Sequence, residues 1–407
     1  MNRQEEHAEG TEGVATPLTI TLAVQVLVSV TAVGVAVFMP AVSEEMGFSP
    51  NHVGIFVSLI YLGACLASPF SGYLINLFGP ILVSQVCLGL CAAGLGVMAS
   101  ASLPLMIAGA VIIGLGYGPV TPASSYLLAR TIPLRMISIV FSIKQTGVPL
   151  GGALAGALVP YIVVYYGWRM APVAIAAVMV LSAVLMIPFR GRYDRWRQKN
   201  SRFSLNRVTV PFQKIFSHKG LRSVVFASFF FAIMQLCLIS FLVTYLTEDL
   251  EMSLIQAGWM LSVAQTAGII GRIVWGAMAD RFVKPRIMLG FLGIAMSVMA
   301  ILAGLFSPAW PPSAVMLVCG IFGAVAIGWN GVYLAEVACL AKPEHAGEVT
   351  GGALFFTFCG VLLGLPILSA VFDVTGSYPA GFFLTALLTA CWGVLLWFGP
   401  KSDPESE

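Results

Sequence analysis

Apolar positions along this chain run in blocks and do not alternate. A helix needs about 20 mainly apolar residues to cross the hydrocarbon layer of a bilayer, and runs of that length recur almost from end to end. Twelve are predicted: 17–39, 52–75, 81–101, 104–129, 137–164 and 168–189, then 221–246, 253–279, 285–306, 313–340, 347–371 and 378–399. Short polar turns separate most of them. One long basic interruption, FRGRYDRWRQKNSRFSLNRVTVPFQKIFSHKGLR, leaves six runs on either side. The pattern predicts an all-α membrane protein, with twelve transmembrane helices in two pseudo-symmetric six-helix bundles. The expected parts are an N-terminal tail (1–16), a first bundle (17–189), a basic linker (190–220), a second bundle (221–399) and a C-terminal tail (400–407).

Composition agrees, since 58% of the 407 residues are hydrophobic and only 10% are charged, far from the balance of a soluble globular domain. The opening MNRQEEHAEGTEGVAT is acidic and lacks the basic start of a secretory signal, so it reads as a tail. Charge also orients the chain. Of 21 Lys and Arg, 18 fall in segments that share one side if both termini are cytoplasmic: Arg3, Arg130, Arg135, ten from Arg190 to Arg222, Arg281, Lys284, Arg286, Lys342 and Lys401. Arg169 alone falls on the other side, which predicts cytoplasmic termini. A multi-pass protein of a bacterial cell or inner membrane is expected, and the basic linker serves topology and not nucleic-acid binding.

The remaining two cations, Lys144 and Arg272, lie inside predicted helices. Lys144 is nine residues from Arg135 and Arg272 eight from Asp280, which at 1.5 Å per residue puts each roughly 12–14 Å inside the cytoplasmic boundary. A cation at that depth costs about 2.5–3.5 kcal/mol on insertion scales and normally faces a partner or a wet cavity. Glu336 is the one acid clearly within a helix core, whereas Glu44, Glu45, Glu248, Asp249, Glu251 and Asp373 fall at external ends. One acid cannot neutralise two cations, so an anionic substrate is the expected counter-charge. Glu336 itself is open to three roles: proton carrier, partner of Lys144 or Arg272, or gate residue near the basic loops. Gln25, Gln145, Gln235, Gln265, Asn330 and Tyr333 are the polar residues expected to face a cavity, with Tyr117, Tyr126 and Trp329 as aromatic wall.

Other chemistry finds little support. The eight cysteines all fall within predicted helices, where Cys87 and Cys91 read as small packing residues and not as metal ligands. His7, His52, His218 and His345 lie in tails, loops or helix ends, so zinc, haem or di-metal catalysis is not expected, and neither is any cofactor. No Gly-x-x-x-x-Gly-Lys-Ser/Thr pattern for ATP-driven pumping is present.

The two halves repeat one another. GYGPVTPASSYLLAR (116–130) superposes on GWNGVYLAEVACLAK (328–342), and SGYLINLFGP (71–80) on WGAMADRFVKP (275–285). Duplicated halves imply alternating access around a mid-membrane site. At this point the chain resembles the major facilitator superfamily over nearly its whole length. The resemblance rests on Gly276, Asp280, Arg281, Lys284 and Arg286, which match the family's Gly-x-x-x-Asp-Arg turn and imply a cytoplasmic gate latch. The first half keeps Gly72 and Gly79 but has Asn76 and Leu77 in place of the acid and base. TGVPLGGALAG is similar to a Gly-Pro-rich motif of some exporters, with a different register. Gly147, Gly151, Gly152 and Gly156 read there as hinge and interface.

GRIVWGAMADR (271–281) looks like the eighth helix of the organic-anion branch, which includes monocarboxylate transporters and the oxalate–formate exchanger. That resemblance implies that Arg272 binds a substrate carboxylate, and that helices five and eight bring Lys144 and Arg272 toward one cavity. The exchanger's second cation lies on helix eleven, where this chain has FFTFCG and puts its lysine on helix five instead. The expectation is a monomeric secondary transporter of a small organic anion, working by proton symport or anion exchange. A multidrug or cyanate/nitroimidazole-type carrier of the same fold is the alternative, and a non-transporting receptor is a third class.

Overall fold

A computed structural model describes residues 12–47, 53–197, 206–341 and 343–398. The tail residues 1–11 with His7, then His52, linker residues 198–205, Lys342 and the tail 400–407 lie outside the described residues, as does the side chain of Asp373. All regular structure among the described residues is helical. The first half contains α1 (Glu12–Met46), α2 (Val53–Ala67), α3 (Ser71–Phe78), α4 (Pro80–Met98), α5 (Leu103–Tyr117), α6 (Val120–Thr131), α7 (Ile137–Gln145), α8 (Gly147–Tyr166) and α9 (Met170–Leu185). The linker contributes α10 (Arg190–Tyr193) and α11 (Asn206–Ser217). The second half contains α12 (Lys219–Glu248), α13 (Leu254–Arg281), α14 (Pro285–Gly304), α15 (Pro312–Ala326), α16 (Asn330–Leu340), α17 (Ala346–Thr375) and α18 (Tyr378–Phe398).

Eleven of the expected spans are long and apolar enough to cross a membrane. The twelfth is α13, equally long at 28 residues but diluted by Gln265 and Arg272. Several spans are made of two helices in series, and the breaks have local causes. Helix five stops at Gln145 and restarts at Gly147 because Pro149 has no N–H for the Gln145 carbonyl. Helix four divides after Tyr117, where Pro119 and Pro122 withhold the N–H groups due to Leu115 and Gly118. Its counterpart in the second half, between α15 and α16, has no proline. There the Trp275 indole N–H donates to the Ala324 carbonyl at 2.8 Å, taking the acceptor that the Gly328 N–H would use in an unbroken helix.

The chain forms two compact units: residues 1–137, 144–214 and 341–355 in the first, and residues 138–143, 215–340 and 356–407 in the second. Small residues set the helix spacing within each. In the first unit Gly151 of α8 lies against the Val26 backbone of α1, and Gly94 of α4 against Gly109 of α5. In the second, Gly271 of α13 meets the Ala324 backbone, and Gly293 of α14 meets Gly393 of α18. In lipid the tails are as apolar as leucine, so such close backbone approach, and the dispersion it adds, is what holds helices together. Cys87 and Cys91 are buried packing groups of this kind, the Cys91 thiol lying 3.6 Å from the Ile113 carbonyl.

Candidate functional site

In the first unit Lys144 lies in the last turn of α7 and is 1% exposed. Its ammonium donates to Gln25 Oε1 at 2.6 Å, Thr121 Oγ1 at 3.1 Å and Gln145 Oε1 at 3.1 Å. Thr121 in turn donates to Gln25 Oε1 at 3.1 Å. All four residues are buried. The lysine sits where α7 breaks off, and the negative end of a helix dipole favours a cation. The three acceptors are neutral oxygens. The sequence has no Asp or Glu between Glu45 and Asp194, so α2 to α9 carry no acid.

Arg272 occupies a comparable setting in the second unit, 2% exposed, with Nε donating to the Ile327 carbonyl at 3.0 Å. Ile327 is the residue that ends α15, so this cation too rests on a helix break. A polar cluster adjoins it. Asn330 Nδ2 lies 3.4 Å from the Ile327 carbonyl and donates to Gln235 Oε1 at 3.1 Å, and the Trp329 indole donates to the same oxygen at 3.0 Å. The Trp329 and Tyr333 rings are 5.3 Å apart. Thr357 Oγ1 reaches Tyr333 Oη at 3.4 Å and Ser228 Oγ at 2.8 Å. Gln265 is half-buried on α13, about two turns before Arg272, and is not a hydrogen-bonded member of this cluster.

The expected site residues therefore fall into separate groups: Lys144 with Gln145 in one unit, and Arg272 with Asn330 and Tyr333 in the other. Glu336 belongs elsewhere. It is 6% exposed, and the groups acting on its carboxylate are the Arg286 N–H and guanidinium and the Lys284 ammonium. Its charged neighbours are thus the basic residues at the start of α14. The Arg130 guanidinium lies 4.6 Å over the ring of Tyr126.

Within the second unit, Asp280 accepts the backbone N–H groups of Ser138 at 2.9 Å and Ile139 at 2.7 Å. It thereby caps the start of α7 with a carboxylate, a favoured pairing at the positive end of a helix. Gly276, one turn earlier, lies against Ser142 and the Ser138 carbonyl, leaving no room for a side chain. Arg281 is exposed and stacks on Phe282. In the first unit Asn76 Nδ2 donates to Glu348 Oε1 at 2.9 Å, and Gly72 lies against the Glu348 backbone.

Sequence reasoning passed over Thr121, Ser228, Thr357, Glu348 and Asp194. Asp194 follows the first bundle and accepts the N–H groups of Ile81 at 2.8 Å and Leu82 at 3.1 Å. One signal was available, because Gly79, at φ +91°, and Pro80 open α4 with no side chain able to cap it.

Two units of broken membrane helices with buried cations at the breaks are the architecture of a multi-pass secondary transporter. The comparisons agree. The sequence model of the Major Facilitator Superfamily matches residues 21–353 and 225–407, and the chain belongs to that superfamily. It is a transporter and not an enzyme. It is 23% identical over 361 residues to the hexuronate transporter of Bacillus subtilis, covering 85% of each chain. It is 23% identical over 382 residues to a probable sulfoacetate transporter of Cupriavidus necator (88% of this chain, 86% of the other). The cis,cis-muconate transport protein of Acinetobacter baylyi is 24% identical over 372 residues, covering 84% and 87%. The solved outward conformation of the superfamily transporter FucP superposes with a TM-score of 0.78 at 15% identity, covering 96% of this chain and all of that one. The human organic anion transporter MFSD10 does so at 0.71 and 16%, covering 95% and 99%.

Proposed function

We propose that the protein carries a small organic anion, monocarboxylate-like, across a bacterial plasma membrane by alternating access, as a monomer with both termini cytoplasmic. The observation that carries this reading is the seating of Lys144 and Arg272, each buried at a helix break and bonded to neutral oxygens. A substrate carboxylate is the ligand that two buried cations suit. Lysine acts as a point charge and arginine offers a two-pronged fork to the carboxylate. Gln145, Asn330, Tyr333 and Gln265 contribute polar contacts. The names of the relatives support an anion: hexuronate, sulfoacetate and cis,cis-muconate all bear carboxylates. A multidrug carrier for cations would want acids where this chain has Lys144 and Arg272.

Two coupling modes fit, proton symport and anion exchange. Exchange needs no interior acid and is favoured by the position of Glu336 beside Arg286; symport would draw on Glu336 as proton carrier. The role of Arg272 is tested with Arg272→Lys in purified protein, by equilibrium binding of a panel of small carboxylates and uptake into vesicles. The variant keeps the charge and loses the fork, so affinity for the panel's best ligand is expected to fall about ten-fold or more. Unchanged affinity and uptake would remove Arg272 from the site.

A further inference from the structure

We infer that the first half has a gate carboxylate of its own, Glu348, carried on α17 and not on α3, and that Lys214 of the linker helix α11 holds it in place. The inference starts from the internal repeat. Asp280 and Asn76 occupy equivalent positions, each one turn after a glycine that lies against another helix: Gly276 against α7, and Gly72 against the Glu348 backbone of α17. In the second unit the acid is on α13 and meets backbone N–H groups of α7. In the first unit α3 supplies an amide, and the acid comes from α17 at 2.9 Å. The same close junction is therefore kept with donor and acceptor exchanged.

The second oxygen of Glu348 is engaged as well. Lys214 Nζ is 2.5 Å from Oε2, and His345 Nδ1 lies 3.3 Å from the same oxygen. Phe212, two residues before Lys214, packs edge-on against Phe355 of α17 at 5.3 Å. The lysine thus reaches the acid from a helix already docked on α17. With side-chain exposures of 29% for Lys214 and 18% for Glu348, the pair is sheltered well beyond an ordinary surface ion pair. The linker, in this reading, is a working part of the gate. Gate opening at the start of α17 has to separate Glu348 from both Asn76 and Lys214.

This inference rests on the alternating-access reading but not on the nature of the substrate. Its test therefore uses hydrogen exchange on the full-length protein in lipid nanodiscs with no substrate present. Glu348→Gln and Lys214→Met are each expected to speed exchange at the start of α17 about five- to ten-fold, with the far end of α17 unchanged. Their double variant should go no further than Glu348→Gln alone, because both remove one contact. Asn76→Asp alone sets two carboxylates against each other and should speed exchange as well. Asn76→Asp combined with Glu348→Gln restores an amide–carboxylate pair in the polarity of the second half, and should slow exchange again at the Asn76–Glu348 contact. A merely structural ion pair would loosen the whole unit evenly and show no such rescue. Even loosening, additive effects of the Glu348 and Lys214 changes, or failure of the swapped pair would each overturn the proposal. If Glu348→Gln does not fold, Lys214→Met and Asn76→Asp decide the matter by themselves.

Discussion

Replacing Lys144 by methionine keeps the length of the side chain and removes its charge, which separates a binding role from a structural one. On the stability side, the lysine's removal takes a donor from Gln25, Thr121 and Gln145. Gln25 keeps the Thr121 hydroxyl, so the loss falls mainly on Gln145 and Thr121, at about 1–3 kcal/mol for the bonds to the ammonium. Against this, the cost of holding an ammonium at that depth, about 2.5–3.5 kcal/mol, disappears. The terms are of similar size and opposite sign, so the variant should fold with a stability within about 2 kcal/mol of wild type. On the binding side, one charge-assisted contact to the anion is lost, about 1.5–3 kcal/mol, or between about ten- and a hundred-fold in Kd. The assay is a thermal melt with and without each member of a carboxylate panel, followed by equilibrium binding of the best ligand. Lys144→Arg serves as control and should retain part of the affinity, since charge survives. A loss of about 3–5 kcal/mol in stability with unchanged binding is the signature of a broken buried ion pair and would refute the reasoning.

The cap on α7 predicts that Asp280→Asn weakens the start of that helix by about 1–2 kcal/mol, because one of two acceptor oxygens and the charge at the helix N-terminus are lost. Faster hydrogen exchange confined to residues 138–141 would show it, and unchanged protection there would count against the cap. In the first unit, Glu45 accepts from Arg169 at 2.6 and 3.1 Å and from Trp168 at 2.6 Å. The Arg169 guanidinium, then the Trp168 indole, hold this carboxyl below its ordinary value. The sign follows: with the folded-state value depressed, the contact's stabilisation is fully present above the ordinary glutamate range near about pH 4.3 and is lost as pH falls through the lower folded value. Melting profiles of wild type and Glu45→Gln should therefore differ by a constant amount from pH 5 to 8 and converge only in acid; a difference that changes near neutrality would disprove the assignment.

The sequence by itself determined the membrane-spanning runs, the division into two halves and the two interior cations. Each follows from local composition: a run of apolar residues has one stable state in lipid, and a lone lysine or arginine in it is conspicuous wherever the chain goes. Part of the local geometry was legible for the same reason, as with Pro149, whose missing N–H alone breaks helix five. The break before α16 was not, since Gly328 carries no such instruction and Trp275, more than fifty residues away, takes the Ala324 carbonyl. Tertiary structure also decided the partners of the charged groups. Glu336 could be listed beside Lys144, Arg272 or the basic loops, and folding put Arg286 and Lys284 next to it. Asn76 read as a worn copy of Asp280 because the acid that completes its junction, Glu348, lies 272 residues further along the chain. Periodicity and composition report what one segment needs buried or wet. A hydrogen bond is set by a few tenths of an ångström between atoms of segments that meet only when the helices pack, and that distance exists nowhere in the order of the residues.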